Sequence, residues 1–262
     1  GSGFIAGDHV AACGFIDYPG KAARILGAFA ERIVAPVENV AKVSSVIPLE
    51  RAALFRVHTE TSYYALQRGR LVPGETLLVL GAGGATGFAA VQLGKLMGAR
   101  VIASASTREK RNIALAGGAN GTIDSNDPDW RARVKECTGG RGVDVVFDPV
   151  GGDFTERAFR SLAWKGRHLI IGFTAGKIPS IPVNLAMLKG SSVIGINLLE
   201  AQRREPTKFY ANARALMDLF DMGKLTVPPI VRRFPLEEAS EALAAAIGGK
   251  VAGRMVIDIA KA

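Results

Sequence analysis

Between residues 76 and 197 the chain alternates two hydrophobic rhythms. Short runs that are apolar at nearly every position (76–81, TLLVLG; 100–104, RVIAS; 143–148, VDVVFD; 168–172, HLIIG; 192–197, SVIGIN) alternate with stretches whose apolar residues recur every three or four positions. Unbroken apolar runs of this length predict strands buried on both faces, and the wider spacing predicts helices laid across them. A first helix is expected at 84–97, with Ala89, Ala90, Leu93, Leu96 and Met97 on one face and Gly98 as its stop. Further helices are expected at 107–117, closed by Gly117 and Gly118, from Asp127 or Asp129 to about Cys137, and at 153–163. A shorter strand fits 121–124.

Six such units joined by short loops predict an α/β fold: a doubly wound parallel sheet with helices on both faces, the Rossmann architecture. The two ends read differently. Residues 1–50 hold short β-like pieces, at 7–11 and at 29–43 interrupted by Pro36, and no helical repeat. Helices are expected at 207–222 and 237–248 and a closing strand at 254–259. No repeat beyond the β-α units and no low-complexity linker is visible.

The chain has 262 residues, 48% of them hydrophobic, enough for one large domain or two small ones with a real core. No apolar run approaches the roughly 18 residues of a membrane span, and no signal segment opens the chain. The expectation is a cytoplasmic protein. The net charge of +9 raises the question of nucleic acid. The bases, densest at 108–111, 131–135 and 202–204, are mostly interleaved with acids and form no long block, which favours solvated helix faces over a binding stripe. Cys13 and Cys137 stand far apart and make no disulfide framework, which fits a reducing compartment.

Candidate chemistry sits between the first strand and first helix of the alternating region, in Gly81-Ala-Gly-Gly-Ala-Thr-Gly87. Gly81, Gly84 and Gly87 let a strand turn sharply into a helix and let backbone approach a pyrophosphate, to which the helix start offers N–H groups. The next strand ends Ser104-Ala-Ser-Thr-Arg-Glu-Lys110, with no carboxylate to receive an adenosine ribose. Hydroxyls at Ser106 and Thr107 and charges at Arg108 and Lys110 suit a 2′-phosphate, so NADPH is expected over NADH. Ser106 or Thr107 also reads as a helix N-cap.

These residues resemble the medium-chain dehydrogenase/reductase superfamily, in its zinc-free NADPH:quinone oxidoreductase (zeta-crystallin-like) branch. The resemblance covers nearly the whole chain: Gly7-Asp-His-Val10, Gly27-Ala-Phe-Ala-Glu31, Leu71-Val-Pro-Gly-Glu-Thr76, the glycine loop, Thr138 to Gly152 (TGGRGVDVVFDPVGG), Gly172-Phe-Thr-Ala-Gly176 and Ile194-Gly-Ile-Asn197. It implies that Thr61 supports the nicotinamide end, that Gly84, Ala85 and Thr86 hold the pyrophosphate, and that Ser106 and Lys110 meet the 2′-phosphate. Ser125 stands where many relatives carry a tyrosine near the adenosine. Val150, Gly172, Phe173 and Thr174 are implied walls around the nicotinamide, and Asn197 a further cofactor contact.

The resemblance also implies an organisation: residues 1–58 as part of a GroES-like β domain for substrate, 59–200 as the NADPH-binding Rossmann domain, and 201–262 as the return to the substrate domain. The front of the substrate domain is absent from this chain, so exposed apolar surface is expected there. Zinc-dependent relatives carry a four-cysteine lobe and a catalytic cysteine about four residues before the match to Thr61; here 11–28 hold only Cys13, and the second position is Val57. No metal is expected. His58-Thr-Glu60 departs from the asparagine-tyrosine-glycine pattern of relatives, and His58 is a weak candidate proton donor.

The implied reaction moves hydride from NADPH to a small electrophile, a quinone or the β-carbon of an α,β-unsaturated carbonyl. It needs reactants held in line and water excluded rather than a nucleophile or an acid–base triad. A homodimer is implied through the last strands of the sheet. The alternatives are an enoyl thioester reductase and an NADPH-binding regulatory or RNA-binding module without turnover.

Overall fold

The computed structural model describes residues 3–12, 28–247 and 251–259; Cys13 and the start of the Gly27 motif lie outside them. The chain divides into two compact units, Thr61–Leu198 and Gly1–Glu60 with Leu199–Ala262.

In the unit made from both chain ends, β1 (Val10–Ala12) pairs antiparallel with β2 (Val40–Lys42), which follows a 3-10 turn at Val37–Asn39. The 20-residue helix α1 (Leu49–Arg68) comes next and passes into the other unit at Thr61. Buried Arg56 on α1 ties this region together. Its Nε donates to Glu60 Oε1 at 2.8 Å, and its Nη1 donates to the carbonyls of Asn39 (2.6 Å) and Ala11 (3.3 Å).

The other unit runs β3 (Thr76–Leu80), α2 (Ala85–Leu96), β4 (Arg100–Ala105), α3 (Arg108–Ala116), β5 (Gly121–Asp124), α4 (Trp130–Cys137), β6 (Val143–Asp148), α5 (Asp153–Phe159), β7 (Leu162–Ile170), α6 (Asn184–Lys189) and β8 (Ser192–Gly195). The six strands form one parallel sheet in the order β5-β4-β3-β6-β7-β8. This is the doubly wound order, which reverses between β3 and β6. Helices α2 and α3 cover one face, and α4, α5 and α6 the other. Every residue of β3 is buried, as its unbroken apolar run requires. On one face Leu78, Leu80, Ile102, Val146, Phe159 and Trp130 form the core. The Trp130 indole N–H donates to Ser104 Oγ at 2.9 Å, so its one polar atom is satisfied where it is buried.

The chain then returns to the first unit through α7 (Leu198–Arg204), α8 (Pro206–Asp221), β9 (Ile230–Pro235), α9 (Ala239–Ile247) and β10 (Arg254–Asp258), with β9 and β10 parallel. Phe220 of α8 stacks on Phe55 of α1 with ring centroids 4.0 Å apart.

Three helices escaped the sequence pattern: α1, α6 and α7. The expected helix at 153–163 ends at Phe159, and the strand expected at 168–172 begins at Leu162. Its register against β6 jumps from Val143↔Leu162 to Val145↔Arg167. The intervening bulge holds Lys165 at φ 61, so the polar Lys165-Gly-Arg167 read as a loop.

Candidate functional site

All loops at the carboxyl ends of β3, β4, β6 and β7 gather where the strand order reverses, the place where open α/β sheets leave a crevice. The first is the glycine loop. Gly81 adopts φ 59, and its carbonyl accepts the Gly84 N–H at 2.9 Å, which closes the turn. Gly84 precedes α2 and supplies no side-chain cap. A Cβ on Gly87 would lie 2.7 Å from Ala82 Cα, so only glycine lets the helix start this close to the strand. Helix starts carry N–H groups without intrahelical acceptors and the positive end of the helix dipole. Ser62 of α1 donates to the Thr86 carbonyl at 2.8 Å, which sets the Thr61–Arg68 part of α1 beside this turn.

The second loop follows β4. The sequence left Ser106 and Thr107 open as caps, and Thr107 is the cap: its Oγ1 accepts the Lys110 N–H at 3.2 Å. Ser106 is therefore released from capping and lies exposed. Lys110 packs on the glycine loop so tightly that a Cβ at Gly83 would lie 2.5 Å from Lys110 Cβ. Ser125, after β5, donates its N–H to the Ala105 carbonyl at 3.2 Å, and the amide of Asn126 donates to the Ser106 carbonyl at 3.0 Å. Lys110 thus lies against the glycine loop, and Ser106 and Ser125 stand in the joined loops that follow β4 and β5.

The third and fourth loops form the other side. Val150 lies against the first turn, with its Cγ2 3.0 Å from where a Cβ of Gly81 would be. The Phe173 ring packs on Gly151, and Thr174 donates through both its N–H (3.2 Å) and its hydroxyl (3.1 Å) to the Pro149 carbonyl. A Cβ on Gly172 would lie 3.5 Å from the Pro149 carbonyl oxygen. Asn197 lies exposed after β8, beside Ile196, whose N–H donates to the Ile170 carbonyl.

The sequence reading missed the pair beneath this wall. Asp148 ends β6 fully buried, and its carboxylate accepts four hydrogen bonds. Oδ1 takes the N–H groups of Val150 and Gly151, each at 2.9 Å. Oδ2 takes the Thr155 hydroxyl at 2.6 Å and His168 Nε2 at 2.9 Å. Burial alone would raise this carboxyl's pKa; the bonds from His168, Gly151 and Thr155 outweigh it and hold the group below the ordinary carboxylate value. A carboxylate closing an apolar strand, in Asp148-Pro-Val-Gly-Gly152, was the available signal for this residue.

In the other unit, burial and secondarily the Arg254 charge lower the His58 pKa from 6.5 to about 4. The ring is neutral at pH 7, below the range of a donor that titrates there. Thr59 and Glu60 are buried. Among the described residues no group of three or more His, Cys, Asp or Glu could hold a metal ion, and no helix is long and apolar enough to cross a membrane. Chemically, the arrangement in the Thr61–Leu198 unit suits a long anionic ligand: peptide N–H groups and a helix start at its centre, a lysine and hydroxyls on one flank, an apolar wall on the other.

Residues 85–215 match the zinc-binding dehydrogenase family. A quinone oxidoreductase-like protein 2 homologue of Nematostella vectensis is 34% identical over 88% of this chain and 64% of its own length. Quinone oxidoreductase-like protein 2 of Mus musculus is 32% identical over 91% of this chain and 70% of its own. The chain therefore spans about two thirds of the length of these curated relatives. Among solved structures, the Escherichia coli quinone oxidoreductase complexed with NADPH superposes with a TM-score of 0.80, at 28% identity over 90% of this chain and 74% of that one.

Proposed function

Because the chain belongs to the medium-chain dehydrogenase/reductase superfamily, in its quinone-oxidoreductase branch, we propose that it binds NADPH along the carboxyl edge of its sheet and passes hydride to a quinone or an α,β-unsaturated carbonyl. The observation that carries this reading is the glycine turn with Lys110 packed directly against it. Without Cβ atoms at Gly83 and Gly87 the loop, the helix start and Lys110 pack against one another, and a helix start beside a lysine suits a dinucleotide phosphate.

In this reading Gly84, Ala85 and Thr86 hold the pyrophosphate. Ser106 and Lys110 hold the 2′-phosphate, with Ser125 near the adenosine. Thr61, Val150, Gly172, Phe173, Thr174 and Asn197 surround the nicotinamide. The cofactor supplies the hydride; the chain's residues bind it, fix its orientation and exclude water, so that the acceptor meets one face of the ring. The protein works as a homodimer through β8, whose outer edge has no partner strand among the described residues. Support comes from exposed Val193 on that strand and from exposed Trp164, Met187 and Leu188 in the same unit. Its proposed compartment is the reducing cytoplasm, which suits the free thiol of Cys137.

The test is a fluorescence titration with NADPH and NADH on wild type and Lys110→Glu. NADPH is expected to bind at least about tenfold tighter than NADH in wild type, and the substitution to erase that preference. Equal affinity for the two, or binding of neither, would overturn the reading. Turnover on a quinone, an enone and an enoyl thioester then identifies the acceptor.

A further inference from the structure

We propose that Asp148, held by His168 and Thr155, is the positioning residue that fixes the apolar wall of the cleft, and so sets where the nicotinamide half of the cofactor lies. The inference rests on the reading of the cleft as an NADPH site.

The wall is built on a turn with little stiffness of its own. Gly151 and Gly152 take φ 72 and φ 61, and glycine in such conformations resists displacement weakly. Backbone bonds zip this turn to the loop after β7: Ala175 N–H to the Val150 carbonyl at 2.9 Å, Gly152 N–H to the Lys177 carbonyl at 2.9 Å, and both Thr174 donors to Pro149. These bonds lock one loop to the other. The Asp148 side chain locks both to the core, because Oδ1 grips the turn while Oδ2 grips Thr155 of α5 and His168 of β7. Four donors fill the acceptor capacity of one carboxylate. Asp148, Thr155 and His168 are all 0% exposed, so water does not compete for these bonds.

His168 points to a purpose beyond packing. A carboxylate only accepts, so the proton lies on Nε2. Among the described residues Nδ1 is buried without a partner, a cost that an aliphatic side chain of similar size would avoid. The return for that cost is the single N–H delivered to Asp148 Oδ2. Val150, on the gripped turn, reaches across to Gly81, so a shift of the carboxylate moves the wall relative to the glycine turn.

The test compares two ligands on wild type, His168→Leu, His168→Gln and Thr155→Val. NADPH reaches the wall; 2′,5′-ADP ends at the phosphates and does not. His168→Leu is expected to weaken NADPH about tenfold and to leave 2′,5′-ADP within about twofold. His168→Gln keeps a side-chain N–H and is expected to recover most of the loss. Thr155→Val removes the other donor to Oδ2 and should give the same split, which keeps the test alive should His168→Leu fail to fold. Equal losses for both ligands, no loss for either, or no rescue by glutamine would overturn the inference while leaving NADPH binding in place. A wild type that binds neither ligand would overturn the functional reading and this inference together.

Discussion

Gly87 shows how much one missing side chain carries. Its Cβ position is 2.7 Å from Ala82 Cα, backbone that cannot swing aside. Gly87→Ala is expected to cost about 1–3 kcal/mol of stability in urea unfolding and to weaken NADPH more than about tenfold in the fluorescence titration, since the turn must open. This glycine was legible in the sequence because it lies between a clear strand and a clear helix. The bond between Asp148 and His168 was not, since it joins neighbouring parallel strands across 20 positions of sequence. His58 makes a second prediction at this scale. Its folded pKa of about 4 lies below the ordinary 6.5, so the unfolded chain binds its proton first as the pH falls. The stability conferred by the neutral ring is present above pH 6.5 and is lost progressively down to about 4, reaching about 3 kcal/mol. Urea unfolding across this range should show that slope in wild type and a shallower one in His58→Leu.

At the scale of elements, α1 explains why pattern reading stopped short. Its buried residues include Arg56, Thr59, Glu60 and Ser62, so no apolar stripe marks its inner face. Beside its buried Phe55 and Leu66, the helix is held by bonded polar groups, above all the Arg56–Glu60 pair, both about 5% exposed or less. Removing one charge leaves the other buried. Arg56→Ala is expected to lose about 3–5 kcal/mol, and adding Glu60→Gln to recover part of it, measured by urea unfolding of both variants. The strands of the sheet were legible for the opposite reason: buried on both faces, they carry their environment in every residue. Strand β7 is the exception, because its bulge places Lys165, Gly166 and Arg167 inside an otherwise apolar strand.

On the scale of the whole molecule, the doubly wound parallel sheet follows from the alternating pattern, and α8, α9 and β10 in the return of the chain were expected as well, whereas α7 and β9 were not. That return is set by pairing between β9 and β10, which short apolar runs do not announce. The proposed homodimer belongs to this scale too. Val193→Lys places a charge on the outer strand of the sheet, and light scattering after size-exclusion chromatography is expected to shift from a dimer to a monomer mass.

The central position of β3 also imposes an order in time. One neighbour, β4, begins at Arg100, but the other, β6, pairs Leu77 with Val145, far later in the chain. A nascent chain must deliver Val145 before β3 can be flanked on both sides, and until then a strand that ends fully buried waits with an open edge. The crevice between β3 and β6 therefore comes into being only with that late pairing. During synthesis the proposed ligand cleft is a late product of folding, and chains halted before residue 145 would carry the glycine turn without the wall that faces it.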